Sequence, residues 1–264
     1  MNMKVRIAGA LIVCAALHAQ TQQPSAPKPK PEPEEQVAKE DVYVRRFSGA
    51  ITLSVLGLPL VPKNDISVQT TSPTVDALYS TGSKLRRVGY GGSVQVAVTE
   101  RFAVSGGGFM RWISYGMTSD ILEGTDNPNT IEDERKSTIK NEDTRARLYD
   151  FPVTIRYYGK DRHDPGPRFF VEGGGVLRRV ARIRTSIDTT INAGDKVCCN
   201  TTPITPHRRD VRGVVAGFGV QVTDPIGIRV VPQFRYTHWM GDIFNSYSTV
   251  TRRHQIEAMI SLGF

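Results

Sequence analysis

The sequence predicts an all-β fold, an eight-stranded antiparallel up-and-down β-barrel that crosses a membrane with its strands. Three observations predict it. From Phe47 onward, apolar and polar residues alternate in eight separate segments, the period-two pattern of a strand with unlike faces. The last segment runs to the final residue: Phe264, Leu262, Ile260, Ala258 and Ile256 fall on one face, with Gly263, Ser261, Met259, Glu257 and Gln255 on the other. A strand that ends this way has a partner if the sheet closes and the last strand pairs with the first. The connections, finally, alternate between short and long, as they do when a barrel has turns at one end and loops at the other.

Residues 1–19 carry a short basic start (Lys4, Arg6), an apolar stretch from Ile7 to Leu17 and a small residue, Ala19, before Gln20. This is the pattern of a secretory signal peptide. Its removal takes away Lys4 and Arg6 and no acid, so the formal charge of +8 becomes +6. That balance permits phosphate-bearing partners without implying them, and no nucleic-acid partner is expected. Residues 20–45 hold Pro24, Pro27, Pro29, Pro31 and Pro33 with Lys and then Glu between them. Such a segment buries no core and favours polyproline II, the composition of a solvated periplasmic tether. The sharper alternative for it is a ligand for the cell wall. Residues 46–264 are the barrel. Mean hydropathy is −0.29 and no run of 18 apolar residues exists, which excludes a spanning helix but not spanning strands, half of whose residues are polar.

The eight segments fall at about 47–57, 88–99, 102–115, 147–158, 168–179, 213–222, 227–238 and 253–264. The fourth alternates most cleanly: Tyr149, Phe151, Val153, Ile155 and Tyr157 oppose Asp150, Pro152, Thr154, Arg156 and Tyr158. Aromatic residues sit at both ends of its apolar face, where membrane interfaces place them. Connections two, four and six are short; the first, third and fifth run to about thirty residues and the seventh to about fourteen. These long connections read as loops without structure of their own, which a soluble domain seldom carries in such number.

The segment LYDFPVTIRYY, the strand RFFVEGGGVL, then VVPQFRYTHW and the strand ending in Phe264 resemble the outer membrane protein β-barrel domain family, the small barrels of OmpA and OmpX type. The resemblance implies a bacterial outer-membrane location with periplasmic termini and extracellular long loops. It also implies insertion by the barrel assembly machinery, for which Phe264, Leu262 and Ile260 form the signal. It implies no uniform activity.

Two sets of charges stand out. Arg156, Glu172, Arg229, Arg235, Glu257 and Arg111 take inward positions. In a barrel this narrow they must pair, Arg156 with Glu172 and Arg235 with Glu257, closing the lumen. A narrow ion or solute conduit is the alternative. Basic residues also gather where strands meet the long connections: Arg86 and Arg87; Arg145 and Arg147; Arg178, Arg179, Arg182 and Arg184; Arg208 and Arg209; Arg252 and Arg253. Such a belt suits lipopolysaccharide phosphates in the outer leaflet, or else it neutralises loop acids such as Glu132, Asp133, Glu134, Glu142 and Asp143.

Cys198 and Cys199 are adjacent, and an oxidising location allows a vicinal disulfide or bridges to another chain. Zinc binding with His207 lacks a metal-site spacing, so no metal or cofactor is expected. FRYTHWMGD is similar to the histidine strand of lipid A deacylase barrels. Those place a serine two residues after the histidine, whereas here His238 is followed by Trp239 and Met240. Without that nucleophile no acyl-enzyme forms. Ser246 or Ser248 is the substitute an enzyme would need; otherwise His238 and Trp239 belong to the aromatic girdle. The expected role is structural or surface-interacting, not enzymatic, with a lipid A-modifying enzyme as the alternative.

Overall fold

The computed structural model describes residues 46–264 apart from 85–86, 132, 165, 193–194, 203–205 and 247, and residues 195–202 as backbone alone. The signal peptide, the tether and Arg86 lie outside the described residues, as do the side chains of Cys198 and Cys199. The strands are β1 (Phe47–Leu56), β2 (Asn64–Thr71), β3 (Thr74–Ser83), β4 (Val88–Ala97), β5 (Phe102–Glu123), β6 (Lys136–Tyr158), β7 (Arg168–Ile191), β8 (Asp195–Thr202), β9 (Asp210–Thr223), β10 (Arg229–Trp239) and β11 (His254–Gly263).

Eight of them close a ring. β1 pairs with β4, then follow β5, β6, β7, β9, β10 and β11, and β11 returns to β1 with Leu53 opposite Ile260. Every pairing is antiparallel. Alternation sets the faces. On β6, Phe151, Val153, Ile155 and Tyr157 are exposed while Asp150, Pro152, Thr154, Arg156 and Tyr158 are buried. Phe47, Ile51, Phe169 and Phe218 stand 60–68 % exposed, although burying each is worth about 1.5–3 kcal/mol. Together with their neighbours they make a continuous apolar band far larger than the patches water-soluble surfaces carry.

The long connections differ from the sequence reading, which gives them no structure. β5, β6 and β7 run for 22, 23 and 24 residues, roughly twice the length a membrane requires. Their outer halves, away from Phe264, form a β-wall. β3 pairs along Val75–Ser83 with the outer part of β5, β2 pairs with β3, and β8 pairs with the outer part of β7. The segments KSTIKNEDTR and TSIDTTI are rich in Thr, Ile and Ser, residues at home in strands. They lack an apolar stripe because that part of the wall has little to bury on either face. We call this end distal, and the end holding Phe47 and Phe264 terminal.

Candidate functional site

The barrel interior is layered. Near the terminal end, Ala103, Tyr158, Phe170 and Val231 form a small apolar cluster, and the Arg168 guanidinium lies 4.1 Å from the centre of the Tyr158 ring. Above them comes a layer of charge. Arg156 Nε donates to Glu172 at 2.9 Å and Arg235 Nε to the other Glu172 oxygen at 3.0 Å. Arg178 grips Asp150 with two hydrogen bonds of 2.5 and 2.7 Å, and Arg111 pairs with Glu257 at 2.6 Å. Gln255 accepts from Arg178 at 2.9 Å and from Trp239 at 3.1 Å, and donates to Glu257. Two cavities among these side chains measure about 10 Å³ each, room for about one water. A distal apolar plug follows. It comprises Ile113, Tyr115, Leu148, Val176, Val180, Val211 and Trp239, with Leu60 and Val61 from the β1–β2 connection and Ile243 and Phe244 from the β10–β11 connection.

Three corrections to the sequence reading follow. Arg235 does not pair with Glu257, although the two are direct neighbours in register. Arg235, Gly217 and Glu172 occupy one row across β10, β9 and β7, and with no side chain at Gly217 the two flanking charges meet over it. A Cβ there would lie 2.8 Å from the Phe234 carbonyl oxygen and 3.0 Å from Glu172 Cγ. Glu257 turns instead to Arg111. Arg178, grouped with the rim by its neighbours in sequence, is wholly buried and belongs to the interior. Trp239 is 3 % exposed, its ring 3.9 Å from the Arg178 guanidinium, so it is not part of a girdle. Arg229 is buried near the terminal end.

The belt of arginines separates into unlike groups. Arg253 makes a two-pronged contact with Asp242 at 2.9 and 2.7 Å, and this guanidinium holds the Asp242 carboxyl below its ordinary range. Arg208 lies against Gly241; Arg209 and Arg252 hold strand ends together through their backbones, as Arg87 does by accepting from Leu56. Of the acids set against the belt, Asp133 pairs with Arg135, which draws its carboxyl down to about 2. Asp143 is shared between Lys84 and Arg145 at 3.0 and 3.4 Å.

Arg145, Arg147, Arg182 and Arg184 instead converge. With Trp112, Ile113 and Ala146 they line a surface groove of about 220 Å³. A register shift creates it. Leu148 pairs with Val180 and Arg147 with Ala181, but Arg145 pairs with Arg184, so β7 carries one extra residue there. Arg182 sits in it with φ of +51°, a left-handed conformation that costs a residue with a Cβ about 1 kcal/mol or more. Below the bulge, even-numbered residues of β7 such as Glu172 and Arg178 face inward. Above it Arg182 and Arg184 are exposed and Thr185 is buried. Without the bulge, alternation would send both arginines into the interior. Apart from the Arg145–Asp143 contact, these four have no acidic partner among the described residues. The groove lies just distal to Tyr90 and Tyr149 and level with Trp112, which lines it and stands directly opposite Arg147. That is the height at which interfacial aromatic residues give way to headgroups.

His238 faces outward beside its cross-strand neighbour His254, with Nδ1 atoms 3.4 Å apart. Ser248 is buried against Thr81, and Ser246 lines a separate distal cavity with His207. Among the described residues no hydrogen bond joins either serine to His238. Cys198 and Cys199 fall at an irregularity of the β7–β8 ladder, between the partners of Ile187 and Thr189.

Charge inside and apolar side chains outside invert the arrangement of a water-soluble barrel. The fold is that of a small outer-membrane barrel. No protein-family model and no curated protein matches the chain. Among solved structures it is similar to Neisserial surface protein A, at 11 % identity over 83 % of this chain and 96 % of that one, TM-score 0.33. It is similar also to Ail of Yersinia pestis, solved with the heparin analogue sucrose octasulfate, at 7 % identity over 83 % and 97 %, TM-score 0.33. A third is the autotransporter NalP translocator domain of Neisseria meningitidis, at 9 % identity over 85 % and 90 %, TM-score 0.24.

Proposed function

We propose that this chain is a structural and surface-interacting protein of a bacterial outer membrane, anchored in the outer leaflet through lipopolysaccharide phosphates held by the groove of Arg145, Arg147, Arg182 and Arg184. One observation carries it: the guanidinium groups of Arg147, Arg182 and Arg184, without acidic partners among the described residues, gather beside Trp112, where an apolar band ends. Arginine matches phosphate with paired donors. The termini then lie in the periplasm and the β-wall outside the cell. The β11 face of Ile260, Leu262 and Phe264 is offered to the barrel assembly machinery, and the Pro-rich segment reaches toward the cell wall. A lumen filled by ion pairs and plugged at both ends supports a barrel closed to solutes, so planar-bilayer recordings should give no steady conductance.

The test compares unfolding rates of the refolded protein in vesicles with and without lipopolysaccharide. Lipopolysaccharide should slow unfolding of the natural protein at least tenfold and leave the Arg145→Ala, Arg147→Ala, Arg182→Ala, Arg184→Ala variant nearly unchanged. Equal slowing of both would overturn the reading.

A further inference from the structure

We infer that the distal mouth of the barrel contains a binding site for a small organic cation, an alkylammonium or guanidinium group, centred on Glu142. The site is separate from the arginine groove and independent of it. It occupies the inner side of the β-wall, beyond the apolar plug.

There a cavity of about 380 Å³ is lined by Tyr115 and Met117 of β5, Glu142 of β6, His207, and Phe244, Asn245, Ser246 and Thr249 of the β10–β11 connection. Its size falls within the range of small-molecule sites. The strands fix its wall, since Met117 pairs with Glu142 and Tyr115 with Thr144, and period-two alternation puts Tyr115, Met117 and Glu142 on the same face. The far side is held by the connection folding inward. His207 donates its backbone N–H to Ile243 at 2.9 Å, Thr251 donates to Phe244 at 3.0 Å, and the Phe244 ring meets the Tyr115 ring edge-on at 5.4 Å.

Within this cavity Glu142 is the acid without a match. Asp143, Asp242 and Asp76, at the distal rim, each hold an arginine or lysine within 4 Å. Glu142 makes no hydrogen bond or ion pair among the described residues. Lys140, next along the same face, acts on it only through its field. Burial pushes the Glu142 carboxyl up, with Lys140 pulling the other way. A half-buried carboxylate lacking a partner, in a chain of formal charge +8, is a position that a cation from outside would complete. The remaining lining selects the kind of cation. The aromatic rings of Tyr115 and Phe244 and the Met117 thioether favour alkylated or planar cations that shed their water over a hydrated metal ion. Asn245, Ser246 and Thr249 supply acceptors for the remaining N–H groups.

The probe is n-butylammonium chloride added to the full mature chain refolded in a non-ionic detergent, read by saturation-transfer NMR and by the Met117 methyl resonance. The neutral isostere 1-pentanol is the control. Butylammonium should show saturation transfer and shift the Met117 methyl alone among the methionines. Glu142→Gln should cut the transfer at least tenfold, whereas Glu134→Gln on the exposed hairpin should leave it unchanged. Three results would each overturn the inference: no Met117 shift in the natural protein, equal transfer from 1-pentanol, or undiminished binding in Glu142→Gln. Should Glu142→Gln fail to refold in the detergent, Glu142→Asp, which withdraws the carboxylate by one methylene, takes its place with the same expected loss.

Discussion

Two sets of arginines in this barrel, separated by less than the height of one strand, live under opposite rules. Inside, Arg111, Arg156, Arg178 and Arg235 are each within hydrogen-bonding reach of Glu257, Glu172 or Asp150, and their side chains are nearly inaccessible. Outside, Arg147, Arg182 and Arg184 face one another across a groove without an acid. Desolvation explains the contrast. A guanidinium enclosed by a narrow lumen cannot remain unpaired, because the cost of stripping its water must be offset by a carboxylate at contact distance or, as at Arg168, by backbone carbonyls and an aromatic ring. At the surface, water supplies that solvation, and arginines can be gathered for a ligand. Pairing thus separates architecture from recognition more reliably than residue type does.

The largest effect should come from Glu172→Ala, which leaves Arg156 and Arg235 together without their shared carboxylate. We expect a loss of about 3–5 kcal/mol in denaturant unfolding of the vesicle-embedded protein; a loss below about 1 kcal/mol would mean that lumen water already screens the pair. Gly217→Ala should come next, at about 1–3 kcal/mol, because the added Cβ meets the Phe234 carbonyl and wedges between Arg235 and Glu172. In zwitterionic vesicles, by contrast, removing Arg147, Arg182 or Arg184 should change stability by no more than about 0.5 kcal/mol each. Destabilisation as large as that of Glu172→Ala would erase the distinction between the two sets.

The smallest effect concerns pH at the distal rim. The Arg253 guanidinium depresses the Asp242 carboxyl below its ordinary value of 3.8, so the pair's contribution is fully present above that value and is lost as pH falls through the depressed one. Arg253 is 55 % exposed and solvent screens the pair, so its contribution is small. Hydrogen exchange of the Thr251 amide should therefore quicken beyond its intrinsic rate as pH falls below 3.8, and Asp242→Asn should abolish that excess.

How much of this was legible in the sequence depends on what each strand buries. Where one face meets lipid and the other the lumen, alternation is unambiguous, and the eight ring strands and their faces can be read directly, as LYDFPVTIRYY illustrates. Where both faces meet water, as in KSTIKNEDTR, no hydrophobic period exists, and outer strands that pair over their whole length look like loops. The partner choices inside the lumen were half legible. Arg156 and Glu172 are direct neighbours, but the Arg235–Glu172 contact depends on the missing side chain at Gly217. Strict alternation from Glu172 would have assigned Arg178 to the interior; it was obscured by adjacent arginines read as one cluster. The groove was least legible, since alternation alone puts Arg182 and Arg184 on the wrong face.

The extra residue in β7 therefore acts as a change of parity. Below it, odd positions face outward; above it, even ones do. Removing Ile183 would restore an unbroken alternation: Arg182 would take the inward place opposite Ala146, while Arg184 and Thr185 would keep their partners Arg145 and Thr144 and their faces. Forcing the strand straight with every residue kept would instead carry both arginines inward and bring Thr185 out. The distal wall can accordingly be transplanted to another barrel only if the bulge travels with it, because the meaning of every position above depends on that one uncounted step.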